Sequence, residues 1–389
     1  MKSIAAILFS ISLSLAQDLR VTVKVYPPEK TPANSSFFIA GNQSSLGDWD
    51  PKRIPLERST DGSWVKTFSF PNATRIEFKI TRGGWNTQAL YQYGVIPGNS
   101  IAELTTDTTI VVKPLSWSDL EAKSGGKISG IVEYLRDLSG VGLNYLRDAI
   151  VWLPPSYDKD NTRRYPVLYM HDGQNVFDPS TSFIGVDWQA DETADSLIRQ
   201  NRLQELIIVA IANSPDRFAE YSDTDLGKAY ARFVIDSVKS RIDKAFRTLS
   251  DAGSTGVMGS SMGGLISFLF VWWHPDVFAK AGCLSSVFTR GRTEILNTVS
   301  AFDGPRKPLR LYFDCGGAGG DETLMSGMDE MTEVLAKKGY RKGSDFISFY
   351  DEKAEHNERA WARRLWRPLI FLFGTTHDPT SLHGSGRKR

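Results

Sequence analysis

The stretch Gly256-Val-Met-Gly-Ser-Ser-Met-Gly-Gly264 holds a serine between two glycines, in the pattern Gly-x-Ser-x-Gly. Residues 254–258 read as a short strand that leads into it, and an apolar helical run, residues 264–273, follows it and is stopped by Pro275. A strand, a tight turn and a helix in that order present a serine at the corner with its hydroxyl exposed. The pattern therefore predicts Ser261 as a nucleophile and the backbone amide of Met262 as a donor to an oxyanion.

Around this motif, residues 128–375 read as one α/β domain. Eight strand candidates begin at Ile128, Leu146, Tyr165, Leu206, Thr255, Ala281, Leu309 and Phe346. The first two alternate and favour an antiparallel pair, whereas the others are continuous apolar runs separated by helical segments. Runs that are apolar on both faces imply a mostly parallel sheet covered by helices on two sides. Eight strands with the serine after the fifth predict the α/β-hydrolase fold.

A serine hydroxyl needs a base that accepts its proton and an acid that orients the base. Of the five histidines, His356 directly follows the last predicted strand and precedes a helix, which makes it the expected base. The acid is expected in the loop after the seventh strand. We favour Asp321, with Glu322 close behind, because Asp314 is expected within the strand and a glycine run obscures the path of the loop.

The loop after the third strand of this domain reads His171-Asp-Gly-Gln-Asn-Val-Phe-Asp. Backbone amides that follow a glycine in such a loop can point at a developing negative charge. The sequence therefore predicts the amide of Gln174 as the second oxyanion donor. His171 lies in this separate loop, so we interpret it as a loop organiser and not as the base.

With these motifs, the second domain resembles the putative esterase family of α/β-hydrolases. That family includes feruloyl and acetylxylan esterases, enterochelin esterases and S-formylglutathione hydrolases. The resemblance is carried by Leu168-Tyr-Met-His-Asp-Gly-Gln-Asn, Gly259-Ser-Ser-Met-Gly-Gly and Glu355-His-Asn-Glu. It implies a serine carboxylesterase whose nucleophile and base are Ser261 and His356. The family's compact acid loop is expanded by glycines in this chain.

Residues 17–113 alternate with period two between turn residues, which predicts an antiparallel β-sandwich. The segments Phe38-Ile-Ala-Gly-Asn-Gln-Ser-Ser-Leu-Gly-Asp-Trp-Asp-Pro, Gly62-Ser-Trp, Glu77-Phe-Lys-Ile and Gly84-Trp resemble the starch-binding carbohydrate-binding modules. The resemblance implies a sugar platform formed by Trp49, Lys79 and Trp85. Flat aromatic faces stack on sugar rings, and a lysine reaches hydroxyls. The alternative is that the two tryptophans fill the core of the sandwich.

The chain ends and the segment between the domains have their own signals. Residues 1–16 combine Lys2 with an apolar run and small residues before Gln17, which predicts a signal peptide and a secreted protein. That run is too short to span a bilayer, so no membrane insertion is expected. Residues 114–127 lack an apolar period and predict a linker. Residues 376–389 predict a disordered tail.

Composition excludes several classes of protein. The formal net charge is +1 and no basic cluster is interleaved with aromatics, so no nucleic-acid partner is expected. The sequence contains neither paired cysteines nor closely spaced histidines, and we expect no metal and no cofactor. Cys283 and Cys315 are expected as buried free thiols, with one bridge as the alternative. Three sequons, at Asn34, Asn42 and Asn72, predict glycosylated surface positions if the host glycosylates.

The sequence thus favours a secreted serine esterase that removes acyl or feruloyl groups from a polysaccharide or glycan ester. Two alternatives stay open at this point. One is a siderophore esterase of the enterochelin type, in which a β-sandwich also precedes a related catalytic domain. The other is a catalytically inactive glycan-binding protein.

Overall fold

A computed structural model describes residues 18–91, 99–120, 128–183, 185–288 and 294–375. The chain divides into two compact units, Met1–Glu121 and Ala122–Arg389. The predicted signal peptide and the predicted tail lie outside the described residues.

Among its described residues, the first unit is built from ten short strands. Strands β1 to β10 span Leu19–Val25, Phe38–Gly41, Ile54–Pro55, Glu57–Arg58, Trp64–Phe70, Thr74–Thr81, Ala89–Leu90, Ser100–Leu104, Thr108–Val112 and Ser116–Trp117. They form two four-stranded sheets, in the orders β4-β5-β1-β9 and β3-β2-β6-β8, and a two-stranded ribbon of β10 and β7. Alternate residues of β1, such as Val21 and Val23, are fully buried, so the period-two pattern marks the faces that pack together.

One strand pair of the sandwich departs from the antiparallel prediction. Strand β9 runs parallel to β1, with Val21 opposite Thr108 and Val25 opposite Val112. The two strands lie at opposite ends of the unit's sequence, so no hairpin links them and the long intervening chain permits a parallel pairing. The remaining pairs of the sandwich are antiparallel among the described residues.

The start of the predicted linker belongs to the sandwich. Strand β10 pairs with β7, and Trp117 is fully buried in the hydrophobic core. The Trp117 ring stacks on Phe37 at 5.1 Å between centroids, and its indole N–H donates to the Thr31 hydroxyl at 2.8 Å. The prediction of a linker from residue 114 was therefore wrong at its N-terminal side. A lone aromatic in a polar stretch carries no periodic signal, which is why the sequence pattern missed it.

The second unit contains eight strands in the ranges that the structure describes. Strands β11 to β18 span Ile131–Leu138, Arg147–Leu153, Val167–His171, Ile207–Ile211, Thr255–Ser260, Lys280–Leu284, Arg310–Gly316 and Phe346–Asp351. They form one sheet in the order β11-β12-β14-β13-β15-β16-β17-β18. The pairs β11·β12 and β12·β14 are antiparallel, and the other five are parallel. The predicted α/β-hydrolase sheet is confirmed, with the serine motif directly after the fifth strand.

Helices cover both faces of this sheet, because its strands are apolar on both sides. Helices α1 to α9 span Ala190–Arg199, Arg217–Glu220, Asp225–Arg232, Ser240–Ala245, Met262–Trp273, Glu294–Ala301, Met325–Lys337, Glu358–Arg364 and Trp366–Phe373. A π-helical segment, Phe233–Lys239, joins α3 to α4. Two hydrophobic clusters, one on each face, enclose the central strands. Helix α5 is buried along almost its whole length, which explains why its sequence is apolar on every side.

Two further predictions concern single features. Cys283 and Cys315 are both buried and free, so the bridge that was left as an alternative does not form. In the part of the chain that the structure describes, no helix has both the length and the apolar character needed to cross a membrane.

Candidate active site

The serine motif forms a strained turn between β15 and α5. Ser261 has φ 57° and ψ −121°, a backbone conformation that non-glycine residues rarely adopt and that is common at functional sites. Ser261 itself is half-buried, whereas Ser260 before it is buried. A Cβ atom on Gly259 would lie 2.7 Å from the backbone of Gly263. Only glycine at position 259 lets the strand and the helix approach this closely.

The turn is fixed by backbone contacts with the neighbouring strand. The Ser261 N–H donates to the Leu284 carbonyl at 2.9 Å, at the end of β16. Met262 is the first residue of α5, and a backbone N–H at that position has no acceptor within its own helix. The amide that was predicted to hold an oxyanion is thus next to the serine and available to a ligand.

The predicted base and acid form a hydrogen-bonded pair. His356 Nδ1 lies 3.0 Å from Asp321 Oδ1, and Asp321 is fully buried while the His356 side chain is 28% exposed. An ionised carboxylate only accepts, so Nδ1 is the donor and Nε2 is left as an acceptor. The His356 ring packs edge-on against Trp361, with 5.0 Å between centroids. This arrangement leaves Nε2 as the nitrogen that can take a proton from a serine hydroxyl.

The second oxygen of Asp321 is held by a polar network. Its Oδ2 accepts hydrogen bonds from the Ser285 hydroxyl and the Gly316 amide, both at 2.7 Å. Arg364 Nη2 lies 3.4 Å from the same oxygen. Burial acts to raise the pKa of Asp321, but the His356 hydrogen bond and the Arg364 charge outweigh it, so the pKa lies below its ordinary value. Asp321 is therefore ionised at neutral pH.

The two alternative acids have other partners. Asp314 lies within β17, as expected, and its carboxylate pairs with Arg364 at 2.9 and 3.0 Å. The Glu322 carboxylate accepts from the Gly320 amide at 2.9 Å, which caps the glycine-rich turn. His356 is therefore paired with Asp321, the favoured candidate, and not with its neighbour.

Sequence reasoning missed three residues that support the acid. Ser285 accepts hydrogen bonds from the Trp361 indole at 2.9 Å and from Arg364 at 2.7 Å. Arg364 is 2% exposed and faces both Asp314 and Asp321, and the two carboxylates raise the pKa of its guanidinium. The one signal in the sequence was the position of Trp361 and Arg364 on the helix that directly follows the histidine.

The other predicted oxyanion donor is positioned by an ion pair. Gln174 lies in a tight turn, Gly173–Asn175, that follows Asp172 with its φ of 57°. The Arg217 guanidinium donates two hydrogen bonds to the Asp172 carboxylate, at 2.6 and 2.7 Å. The backbone N–H of Asn213 donates to the Gln174 side chain at 3.2 Å. Strand β13, which precedes this turn, pairs with β15, which precedes the serine. Both predicted donors thus follow adjacent parallel strands at the same edge of the sheet.

His171 is a structural residue at the base of this turn. It is buried, and its Nδ1 lies 2.9 Å from the Tyr230 hydroxyl. Its ring packs between Tyr221 and Phe270, at 5.3 and 5.2 Å between centroids. Burial lowers the pKa of His171 to about 3, so the ring stays neutral. These contacts fit the predicted role of loop organiser.

The three predicted sugar-binding residues are all partly exposed. Trp49 itself has a left-handed backbone, with φ 64°, and its amide donates to the Gly41 carbonyl at 2.9 Å. Lys79 lies opposite Ala40, next to Gly41, in the β2·β6 pair. Its ammonium donates to Gln88 at 3.0 Å, and Gln88 in turn bonds the Trp85 carbonyl. Neither tryptophan is among the described residues of the sandwich core, so the alternative that both fill the core is wrong.

The sequons differ in their surroundings. Asn34 and Asn72 are exposed. Asn42 is half-buried, and its side chain accepts from the Glu77 amide at 2.9 Å and donates to the Arg75 carbonyl at 3.3 Å. A glycan on Asn42 would replace one of the two hydrogens on the nitrogen that makes the second of these bonds.

The comparison with known families assigns the second unit. Residues 142–372, more than half of the chain, match the family model described as Putative esterase. The chain belongs to this family. It is an esterase, and it carries the α/β-hydrolase fold that the sequence predicted. A second family model, described as Starch binding domain, matches residues 18–108, which confirms the resemblance of the sandwich.

Two curated relatives are similar to this esterase over a little more than half of its length. An uncharacterized protein, YbbA of Bacillus subtilis, is 23% identical over 245 residues, which cover 58% of this chain and 91% of the relative. An endo-1,4-beta-xylanase/feruloyl esterase of Xylanibacter ruminicola is 27% identical over 235 residues. The second match covers 59% of this chain and 29% of that longer protein.

Several solved structures are similar to this chain in fold. A ferulic acid esterase has a TM-score of 0.52 at 22% identity and covers 62% of this esterase and 98% of the other chain. The enterobactin esterase of Shigella flexneri has a TM-score of 0.53 at 14% identity and covers 89% of each chain. At these identities the likeness concerns the fold alone.

Proposed function

We propose that this protein is an exported serine esterase that removes acyl or feruloyl groups from polysaccharide through Ser261, His356 and Asp321. The observation that carries the proposal is the His356–Asp321 hydrogen bond at 3.0 Å, at the same sheet edge as the strained serine turn. Strands β15, β17 and β18 are parallel members of one sheet, so the loops that follow them meet at one edge. The nucleophile, the base and the acid of an acyl-transfer site thus come from three separate loops at one edge of the sheet.

The chemistry follows from the hydrogen-bond roles. His356 Nε2 accepts the Ser261 proton while the hydroxyl oxygen attacks the ester carbonyl. The ionised Asp321 stabilises the imidazolium that forms, and the amides of Met262 and Gln174 face the oxyanion. The imidazolium then protonates the leaving sugar oxygen, which breaks the C–O bond and leaves an acyl-enzyme. Water attacks that ester in the same way and regenerates the serine.

The substrate class is argued from the two halves of the chain together. The Xylanibacter relative is named for xylanase and feruloyl esterase activities, although this chain spans only 29% of it. The sandwich matches a starch-binding family, and the partly exposed Trp49, Lys79 and Trp85 fit a surface that stacks on sugar rings. An esterase attached to a glycan-binding module is suited to acyl groups on polysaccharide hydroxyls.

Export is proposed from the N-terminal sequence. Residues 1–16 have the charge, the apolar run and the small residues of a secretory signal. Full-length protein produced in a secreting host should appear in the medium with a new N-terminus at Gln17, as read by mass spectrometry. Retention in the cells with Met1 intact would refute export and leave the chemistry unaffected.

The decisive experiment compares substrates with and without the nucleophile. Purified protein is assayed on p-nitrophenyl acetate, acetylated xylan, feruloylated oligosaccharide and an iron-chelating trilactone. We expect the sugar esters to be hydrolysed with the highest kcat/KM. Ser261→Ala should lower kcat by on the order of 10⁴-fold or more on each substrate that the wild type hydrolyses. Its melting temperature should be close to that of the wild type, because the change removes one oxygen from a half-buried position.

The controls separate the parts of the proposal. Ser344→Ala, at an exposed serine in the turn before β18, should keep full activity. Preferential hydrolysis of the trilactone would replace the polysaccharide substrate by a siderophore and keep the triad. Wild-type turnover by the Ser261→Ala variant would overturn the triad itself.

A further inference from the structure

Three carboxylates that are not part of the predicted triad converge at the start of α1. Asp187 lies in the loop before the helix, and Asp191 and Glu192 lie in its first turn. One carboxylate oxygen from each lies within 4.8 Å of the others. The cluster contains neither histidine nor cysteine, and its members come from a loop and from the helix that follows it.

Asp191 is the unusual member of the cluster. Its side chain is fully buried, and its Oδ2 accepts a hydrogen bond from the Ser129 amide at 2.6 Å. Its other oxygen, Oδ1, is buried and is reached by no hydrogen-bond donor of the described residues. A buried carboxylate oxygen without a partner costs free energy. Acidic residues in a first helical turn are favoured by the helix dipole, but that effect does not satisfy this oxygen.

The electrostatic surroundings of the cluster are negative. Asp187 and Asp191 are buried, and one carboxylate oxygen of each lies within 4.8 Å of a carboxylate oxygen of Glu192. Like charges this close repel one another, and a bound cation relieves that repulsion.

We propose that Asp187, Asp191 and Glu192 bind a hard divalent cation, with Ca²⁺ as the expected ion. All the donors are carboxylate oxygens, which suit Ca²⁺ and Mg²⁺ and are poor ligands for soft metals. Ca²⁺ is favoured over Mg²⁺ because it accepts irregular geometry and completes its shell with water. The cation would supply the partner that Asp191 Oδ1 lacks.

The position of the site links it to the esterase loops. Trp188, next to Asp187, donates its backbone N–H to the Asn175 carbonyl at 2.8 Å, beside the predicted oxyanion turn. Its ring packs on Trp361 at 5.7 Å between centroids, and Trp361 contacts His356. A cation that fixes the Asp187 loop therefore acts as a structural clamp beside the active site and takes no part in the chemistry.

The test uses the full-length protein after treatment with EDTA and removal of the chelator. Ca²⁺ binding is measured by calorimetry, and the melting temperature is followed as Ca²⁺ or Mg²⁺ is added. We expect one Ca²⁺ per chain, a rise of several degrees in melting temperature at saturation, and a smaller rise with Mg²⁺. Asp187→Asn with Glu192→Gln should abolish both the heat of binding and the rise.

A matched control lies one turn further along the same helix. Asp195→Asn removes a carboxylate that pairs with Arg199 and lies outside the cluster, so its response to Ca²⁺ should equal that of the wild type. Asp191→Asn is avoided as the sole test because the residue is buried. The proposal is overturned if the wild type shows no Ca²⁺ binding at millimolar concentration. It is equally overturned if the Asp187→Asn/Glu192→Gln variant still binds, since the ion would then lie elsewhere.

Discussion

Asp321 is fully buried yet remains ionised, and this combination explains several neighbouring residues. A buried carboxylate needs hydrogen bonds and a compensating charge. The Ser285 hydroxyl and the Gly316 amide supply the first, and Arg364 supplies the second. A Cβ atom at Gly316 would lie 2.6 Å from Asp321 Oδ2, so only glycine lets the amide approach. The residues around Asp321 thus stabilise its ionised form.

The assignment of the acid can be tested by paired variants. Asp321→Asn should lower kcat by far more than it changes KM, because the carboxylate orients and stabilises the imidazolium and does not bind substrate. Glu322→Gln should have a mild effect, since Glu322 only caps the turn at Gly320. Both constants are measured on p-nitrophenyl acetate. A reversed result would move the acid by one residue and leave the mechanism in place.

The pKa of Asp321 leads to a prediction about pH. Because the folded-state pKa is lowered, the carboxylate form is stabilised, and this contribution is lost only as pH falls through that low value. Asp321 therefore stays charged wherever the enzyme is assayed near neutrality. We expect kcat/KM to fall on the acid side with a slope of one, as for a single protonation. A slope of two would show that the acid titrates together with the base.

The effect of Arg364 on the pKa of Asp321 can be tested separately. The double variant Arg364→Met with Asp314→Asn removes one positive and one negative charge and leaves Asp321 without its guanidinium. The pKa of Asp321 should rise, because the Arg364 charge no longer favours its carboxylate form, and the acid limb of kcat/KM should therefore move to higher pH. Arg363→Met, at the exposed neighbouring position, should leave the limb unchanged. An unshifted limb in the double variant would mean that Arg364 only supports the fold.

At the scale of elements, the strand, turn and helix around Ser261 act as one unit. Strand β15 is buried at every position, and α5 is buried almost throughout, so neither can shift to relieve the turn. A Cβ atom on Gly264 would lie 2.0 Å from the Ser286 hydroxyl, which adds a second close approach. The strain at Ser261 is therefore maintained by packing on both sides.

Alanine substitution at two glycines tests this rigidity. Gly259→Ala should destabilise the protein by about 1–3 kcal/mol, as overpacking does, and should also lower kcat, because the added methyl pushes on Gly263. Gly253→Ala, just before β15, would meet only the Asp251 carboxylate at 3.2 Å and should be mild in both respects. Chemical denaturation and ester hydrolysis measure the two effects. Equal activity in the two variants would contradict the rigid-turn argument.

At the scale of the whole molecule, each of the two compact units has its own hydrophobic core. The sandwich core contains Trp117 and excludes Trp49 and Trp85 among the described residues. The tryptophans expected to bind sugar are therefore separate from those that stabilise the module, so binding and folding can be tested independently.

The sandwich should affect action on polysaccharide and not the chemistry. Trp49→Ala and Trp85→Ala in the full-length protein should weaken pull-down by insoluble polysaccharide while the melting temperature stays near that of the wild type. Removal of residues 1–120 should leave hydrolysis of a small soluble ester unchanged and reduce release from the insoluble substrate, because tethering raises the local concentration. Trp117→Ala is the contrasting variant, since loss of a buried aromatic should destabilise the module by about 3–5 kcal/mol. Unfolding of the Trp49→Ala or Trp85→Ala module would refute the sugar platform.

Short-range patterns in the sequence were sufficient to predict much of the fold and part of the candidate site. The serine turn, the histidine after the last strand and the alternation of the sandwich each depend on neighbouring residues. A few consecutive positions of the sequence are therefore enough to predict them. The sequence left both Asp321 and Glu322 as candidates for the acid. The path of the glycine-rich loop, which is set by tertiary packing, decides which of the two carboxylates reaches His356. Trp117, Arg364 and the buried Asp191 have hydrogen-bond partners far away in the chain, at Thr31, Ser285 and Ser129. Contacts of that kind arise when strand order and helix packing bring distant segments together, and no local pattern encodes them.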